Sequence, residues 1–180
     1  MKRTIFKIKS NVALTNDVYK TVLAGDTSGI TNCGQFVNIL LDGLYLRRPI
    51  SVNDYDDETL TLIYKVVGVG TEKMKSMEEG TSLDVLTGLG NGYNLSKAGD
   101  HPLLIGGGVG VPPLYNLAKK LIKDGKKVSV ILGFNKKEEV FGEESFKELG
   151  CEVAVTTVDG SYGVKGFVTN ALPESYSYFY

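Results

Sequence analysis

Two short stretches of this chain carry residue types that hold anions. The first is Gly106-Gly107-Gly108-Val109-Gly110-Val111-Pro112-Pro113. Glycines let the backbone pass close to a ligand. A helix opening behind them offers free N–H groups and a partial positive charge, and proline suits its first turn. Four glycines in five positions, after an apolar run and ahead of helical spacing, predict a nucleotide site rather than a bare turn. The spacing is Gly-x-Gly-x-Gly-x-x-Pro and not the dinucleotide fingerprint, because Val111 and Pro113 stand where the third glycine would fall.

The second stretch is Leu46-Arg47-Arg48-Pro49-Ile50-Ser51-Val52. A guanidinium presents a fixed fork of donors that suits a pyrophosphate, and Ser51 sets a small donor and acceptor where a flat ring can lie against a strand. Alone, the pair reads equally well as surface arginines on a hairpin. Downstream, Ile63-Tyr64-Lys65 precedes Gly68-Val69-Gly70-Thr71. Gly70 and Thr71 open a predicted helix, so Arg48 and these two residues are expected to grip one diphosphate from two sides. Tyr64 offers an aromatic face.

These residues need elements to position them. Strands are predicted over Thr4–Ser10, Val18–Ala24, Gln35–Leu41 and Thr59–Val67, with turns at Gly25-Asp26, Asn32, Asp42-Gly43 and Asn53-Asp54. Short strands so spaced imply an antiparallel barrel or sandwich. Thr71–Glu79 is predicted helical, capped by Thr71, with Met74 and Met77 on one face. After Gly99-Asp100 the rhythm changes. Strands are expected at Pro102–Ile105, Lys127–Leu132, Glu152–Thr157 and Tyr176–Tyr180. Helices are expected behind the glycine loop, over Glu138–Leu149 and over Val164–Leu172. Alternating strand and helix implies a parallel sheet. The fold class is therefore β plus α/β, with domains at 1–98 and 99–180.

The second strand of that lobe ends Gly133-Phe134-Asn135-Lys136-Lys137, without the carboxylate that marks a free ribose 2′-hydroxyl. The lysines suit a 2′-phosphate but read first as a solvated helix start, so the residues leave NADH and NADPH unresolved.

The 180 residues carry a net charge of −1, with both signs interspersed. A basic stripe for nucleic acid is absent, and no apolar run approaches the ~20 residues that span a bilayer. The N-terminus alternates and does not read as a signal peptide. Cys33 and Cys151 form no Cys-x-x-Cys pair and read as reduced thiols of a cytoplasmic protein. His101 has no second histidine to join and reads as a linker or packing residue.

Together, Arg47 to Ser51, Ile63 to Lys65, Gly70-Thr71, Leu89-Gly90-Asn91-Gly92-Tyr93, Ile105 to Leu117 and Asp159-Gly160-Ser161-Tyr162-Gly163 carry a resemblance. Over nearly its whole length the chain resembles the electron-transfer subunits of bacterial NAD-dependent dihydroorotate dehydrogenase, within the ferredoxin-reductase superfamily. The resemblance implies an FAD-binding β-barrel, with Arg48, Pro49, Ile50, Ser51, Ile63, Tyr64, Lys65, Gly70 and Thr71 at the flavin. It implies a nucleotide lobe in which Gly106, Gly107, Gly108, Val109, Gly110, Pro113, Asp159 and Gly160 receive NAD(H). It also implies a hetero-oligomer with a catalytic, FMN-bearing subunit that oxidises dihydroorotate in pyrimidine biosynthesis, with no nucleic acid or membrane involved. A ferredoxin–NADP oxidoreductase type of subunit, or a flavin-binding scaffold without turnover, are the other readings. The family carries a two-iron, two-sulfur cluster on a cysteine-rich C-terminal segment. Such a cluster takes four thiolates, and the chain has two cysteines. The expectation is therefore a shortened chain, its α/β lobe C-terminally incomplete and its nucleotide binding impaired.

Overall fold

Alternating apolar and polar residues build the first unit of the structure. In this computed structural model, which describes residues 1–180, six strands are formed: β1 (Lys2–Ala13), β2 (Val18–Ala24), β3 (Phe36–Leu40), β4 (Arg48–Tyr55), β5 (Thr59–Lys65) and β6 (Ser82–Leu89). They close into a barrel in the order β1-β2-β5-β4-β3-β6, every pairing antiparallel. Phe6, Leu23, Val37, Ile39, Leu60, Leu62 and Val85 fill its interior and are inaccessible to solvent. Each such side chain contributes about 1.5–3 kcal/mol by leaving water.

β4 and β6 are additional to the strands read from sequence. β4 runs through Asn53 and Asp54, expected as a turn. The pairing with β5 shifts register between Val52 and Asp54, so these residues sit at a bulge rather than a reversal.

Helix α1 (Val69–Lys75) is shorter than expected and starts earlier. Thr71 is its third residue and not its cap. Its hydroxyl reaches back to accept from the N–H groups of Val67, at 2.9 Å, and Gly68, at 3.3 Å. Met74 enters the barrel core and Met77 packs against it. The Asn11 amide donates to the carbonyls of Met74, Lys75 and Met77 at 2.9, 3.1 and 3.2 Å. One side chain of β1 therefore satisfies the carbonyls at the end of α1 and fixes that helix against the barrel.

Arg47 is committed to the fold. It donates to the carbonyls of Asn38 and Asp84 at 3.2 and 3.1 Å, and to the Asp84 carboxylate at 2.9 Å. Arg3 Nε reaches the same carboxylate at 2.8 Å. These two partners, Arg3 foremost, hold the Asp84 carboxyl below the usual carboxylate range. A depressed carboxylate contributes stability that is complete above the unfolded-state value of about 3.9 and disappears as pH falls through the folded-state value. Melting temperature is accordingly expected to drop more steeply below about pH 4 in the wild type than in Asp84→Asn. Calorimetry at stepped pH measures this, and parallel curves would contradict the assignment.

The second unit is a parallel sheet. β7 (Leu103–Gly107), β8 (Ser129–Phe134), β9 (Glu152–Thr157) and β10 (Val164–Lys165) lie in the order β10-β9-β8-β7. α2 (Pro112–Lys123) links β7 to β8, and α3 (Glu143–Glu148) links β8 to β9. Tyr115 of α2 meets Phe146 of α3 edge-on at 5.7 Å, and Leu117, Leu121 and Phe146 are buried.

Three expectations are corrected here. Glu138–Leu149 is not one helix. A 3-10 turn covers Lys137–Glu139, the chain then drops Phe141 onto Phe134 with ring centres 5.3 Å apart, and Gly142 adopts φ 83° before α3 begins. Burying Phe141 costs the helix its continuity. Val164–Leu172 is not a helix either. β10 pairs with β9, Gly166 turns at φ 120°, and a 3-10 turn follows at Val168–Ala171. Residues 176–180 form no full strand, but they run along β7. Leu103 N–H donates to Tyr178 O at 2.8 Å, and Ile105 N–H to Tyr180 O at 3.0 Å.

The compact units are Met1–Gly92 and Tyr93–Tyr180, dividing a few residues ahead of Ala98. No helix is long and apolar enough to cross a membrane.

Candidate functional site

In the first unit, β4 and α1 bring the sequence-read residues together. A Cβ on Gly70 would stand 2.9 Å from Arg48 Cδ and closer still to Nε. Glycine at that position is what lets the Arg48 side chain lie against α1. Arg48 also donates to the Leu46 carbonyl. Gly70 and Thr71 are both buried, and the Thr71 hydroxyl is spent closing the turn at Gly68, so this pair presents backbone rather than side chain.

Strand register sorts the remaining residues. Val37 pairs with Ile50, and Phe36 with Ser51. Ile50 therefore shares the inner face with buried Val37 and packs on the core. Pro49 and Ser51 share the outer face with Asn38 and Phe36. Val52 pairs with Leu62 across the next ladder, so Ile63, beside Leu62, faces outward with Ser51. Phe36 in turn pairs with Leu89 of β6. Ile63, Ser51, Phe36 and Leu89 thus form a half-buried row across four adjacent strands. Lys65 also alternates outward, with its ammonium 3.0 Å from Asp17.

Tyr64 is placed differently from the sequence reading. It is 3% exposed, inside the barrel, with its ring stacked at 6.3 Å on Tyr19 and its hydroxyl 3.5 Å from Asn11 Oδ1. Burial raises its phenol above the ordinary value. Its ring is not offered on the face that carries Ser51. Phe36 and Asn38 are residues that sequence reasoning missed, and Leu89 entered only within a stretch carrying the resemblance; the β3–β4 and β3–β6 registers set Phe36 and Leu89 in line with Ser51.

In the second unit, Gly106 and Gly107 close β7, and Gly108–Gly110 form a 3-10 turn leading to Pro112 and Pro113 of α2. The four glycines have different tasks. A Cβ on Gly106 would stand 3.0 Å from Val111 Cα and 2.9 Å from Leu114 Cδ1, so Gly106 serves strand-to-helix packing. Gly108 has φ +51°, the left-handed region. A Cβ on Gly107 would meet only Gly133 O, at 3.8 Å, and one on Gly108 or Gly110 would meet nothing within 4 Å, the arrangement a ligand approaching the backbone requires. The expected free N–H groups of the helix start are fewer than foreseen. Pro112 and Pro113 have none, and the amide of Leu114 is held by Val111 O at 3.1 Å.

Asp159 and Gly160 follow β9, so they share the carboxyl end of the sheet with the glycine loop. The Asp159 carboxylate accepts from Ser161 Oγ at 2.7 Å and Ser161 N at 2.9 Å, which hold it below the usual range. The carboxyl ends of parallel strands are where such sheets take ligands.

The cysteines do not fit an iron–sulfur cluster. Cys33 and Cys151 are buried in different units, and burial pushes the Cys151 thiol up to about 11, away from the thiolate a metal needs. His101 Nε2 lies 3.0 Å from Ser129 Oγ at the amino end of β8, in a packing role.

A barrel followed by this parallel sheet is the fold of the ferredoxin reductases, and solved structures bear that out. The NADH-dependent reduced ferredoxin–NADP oxidoreductase of flavin-based electron bifurcation matches with a TM-score of 0.83 at 33% identity, over 92% of this chain and 61% of that one. The ferredoxin NADP+ reductase of Neisseria gonorrhoeae, with bound FAD and NADP, matches at 0.79 and 19% identity, over 92% of this chain and 73% of that one, which speaks for the fold alone. No family model matches the chain. Among curated proteins, the dihydroorotate dehydrogenase B (NAD(+)) electron transfer subunit of Bacillus pumilus is 42% identical over 97% of this chain and 70% of its own length. That of Fusobacterium nucleatum is 46% identical over 92% of this chain and 66% of its own length. The chain belongs to the family of dihydroorotate dehydrogenase B electron transfer subunits and spans about two thirds of the length of these relatives.

Proposed function

We propose that the first unit holds FAD, that the second receives NAD(H), and that the chain passes electrons between them and the catalytic subunit of a cytoplasmic dihydroorotate dehydrogenase. That partner is read as the FMN-bearing subunit that oxidises dihydroorotate in pyrimidine biosynthesis, joined to this chain in a hetero-oligomer.

The observation that carries the proposal is Arg48 seated against Gly70 at the start of β4, the strand that three residues later sets Ser51 in the outward row with Ile63, Phe36 and Leu89. The cradle suits FAD. Arg48 and the amides around Gly70 and Thr71 would hold the diphosphate. Pro49, Ser51 and Ile63 would lie along the ring. Ile50 and Tyr64 would act through their backbone and by shaping the strand, with Lys65 at the edge.

Bound FAD would supply hydride and single-electron transfer. This chain orients the ring, with the Ser51 hydroxyl as its hydrogen-bonding group. The glycine loop, Pro113, Asp159 and Gly160 position the nicotinamide substrate.

Purified chain is expected to take up added FAD with a shifted flavin absorption band. It is also expected to co-elute with the dihydroorotate dehydrogenase catalytic subunit. A flavin spectrum that stays that of free FAD would refute the cofactor reading. FAD uptake without co-elution would favour the second reading, a subunit of the bifurcating ferredoxin–NADP oxidoreductase type, for which the 33% identity with such a structure speaks.

A further inference from the structure

We infer that Glu139 selects the nicotinamide substrate: held at the carboxyl end of β8, its carboxylate accepts from the free hydroxyls of an adenosine ribose and repels a 2′-phosphate. The inference rests on the nucleotide reading of the second unit and adds the residue that tells NAD(H) from NADP(H). Sequence alone found no carboxylate at this strand end, because the last residues of β8 are followed by Asn135, Lys136 and Lys137.

The fold supplies one from further along. The 3-10 turn at Lys137–Glu139 curls the chain back, and Glu139 Oε2 accepts from Asn135 Nδ2 at 2.9 Å and from Asn135 N at 3.3 Å. These two bonds fix the side chain over the strand end. They use one oxygen, and Oε1 takes no donor from the protein. β8 is the immediate neighbour of β7, whose end carries the glycine loop. In a parallel sheet with its diphosphate loop after one strand, the ribose falls at the end of the next, and an acidic group there takes the hydroxyls.

Of the two lysines that suit a 2′-phosphate, Lys137 is drawn over Tyr162. Lys137 N–H donates to Ser161 Oγ at 2.8 Å, and its ammonium stands 5.9 Å from the centre of the Tyr162 ring. Asp159 N–H donates to Asn135 O at 3.1 Å, which ties the loop after β9 to this strand end and adds a second carboxylate to it. By formal charge, Lys136 and Lys137 are outnumbered there by Glu138, Glu139 and Asp159.

Amide NMR titration of the chain with NAD+ and separately with NADP+ tests this. Wild type is expected to bind NAD+ at least about tenfold more tightly, the worth of one charged hydrogen bond, and the isosteric Glu139→Gln to bring the ratio within about threefold. Glu139→Lys should invert it. Amide spectra of both variants report that the lobe is folded. A Glu139→Gln protein that keeps the full preference for NAD+, or a wild type that binds both equally, would overturn the role of Glu139 and leave the nucleotide site standing. A wild type that binds neither at millimolar concentration would overturn the nucleotide reading and this inference with it.

Discussion

Arg48→Ala is expected to weaken FAD binding by about 1.5–3 kcal/mol, the scale of a hydrogen bond to a charged group, which is roughly ten- to more than a hundredfold in dissociation constant. Melting temperature should barely move, since the side chain's protein partner is one carbonyl, that of Leu46. Gly70→Ala should have a similar effect by another route. Its methyl would take the space of Arg48 Cδ and Nε, and the flexible arginine would yield by swinging away from the diphosphate position. If both act on one contact, the double variant is expected to bind FAD no worse than either single one, a departure from additivity that marks a shared site. Arg47→Ala is the control. Arg47 bonds Asn38 and Asp84, so it should lower stability and leave FAD affinity within about twofold. Flavin fluorescence titration beside thermal melts reads both quantities. Equal FAD losses from Arg47→Ala and Arg48→Ala would undo the assignment.

The neighbouring arginines show where sequence reading stops. Their types announce a phosphate or a hairpin without saying which residue does what. Only β4, pairing Arg48 with Ile39, sets one at the barrel end while its neighbour turns to Asp84. β4 itself is hidden in sequence because Pro49, Asn53 and Asp54 are turn residues; a bulge absorbs the last two. By contrast β2 and β9 coincide with the expected Val18–Ala24 and Glu152–Thr157, where runs rich in β-branched residues are free of proline, glycine and asparagine and end at Gly25-Asp26 and Asp159-Gly160. The half-buried row beside Ser51 is illegible for a general reason. Phe36 and Leu89 are far apart in sequence, and only strand register makes them neighbours. Glu139 stayed hidden likewise, because a charged, helix-favouring stretch looked continuous until Phe141 and Gly142 broke it. What composition and local pattern conveyed was the kind of ligand; what they omitted was every contact that depends on pairing distant residues.

The glycine loop permits a separation of packing from ligand approach. Gly106→Val is expected to destabilise the second unit by about 1–3 kcal/mol, the usual cost of overfilling a packed position. The first added carbon would meet Val111 Cα at 3.0 Å and Gly110 O at 3.1 Å, which are backbone atoms and cannot rotate away. Gly110→Ala should change stability by less than about 0.5 kcal/mol, because nothing lies within 4 Å of its methyl and its backbone is not left-handed. Its effect should instead appear in NAD+ affinity, reduced about tenfold or more if the diphosphate lies against this bare stretch of backbone. Chemical denaturation and NMR titration would score the two variants on both axes. A loop that served only as a tight turn would register Gly106→Val alone, and Gly110→Ala would be silent in both measurements. A loop that admits a ligand must show the reverse order for binding, since the position with most room in the free protein is the one where an added methyl obstructs an incoming phosphate.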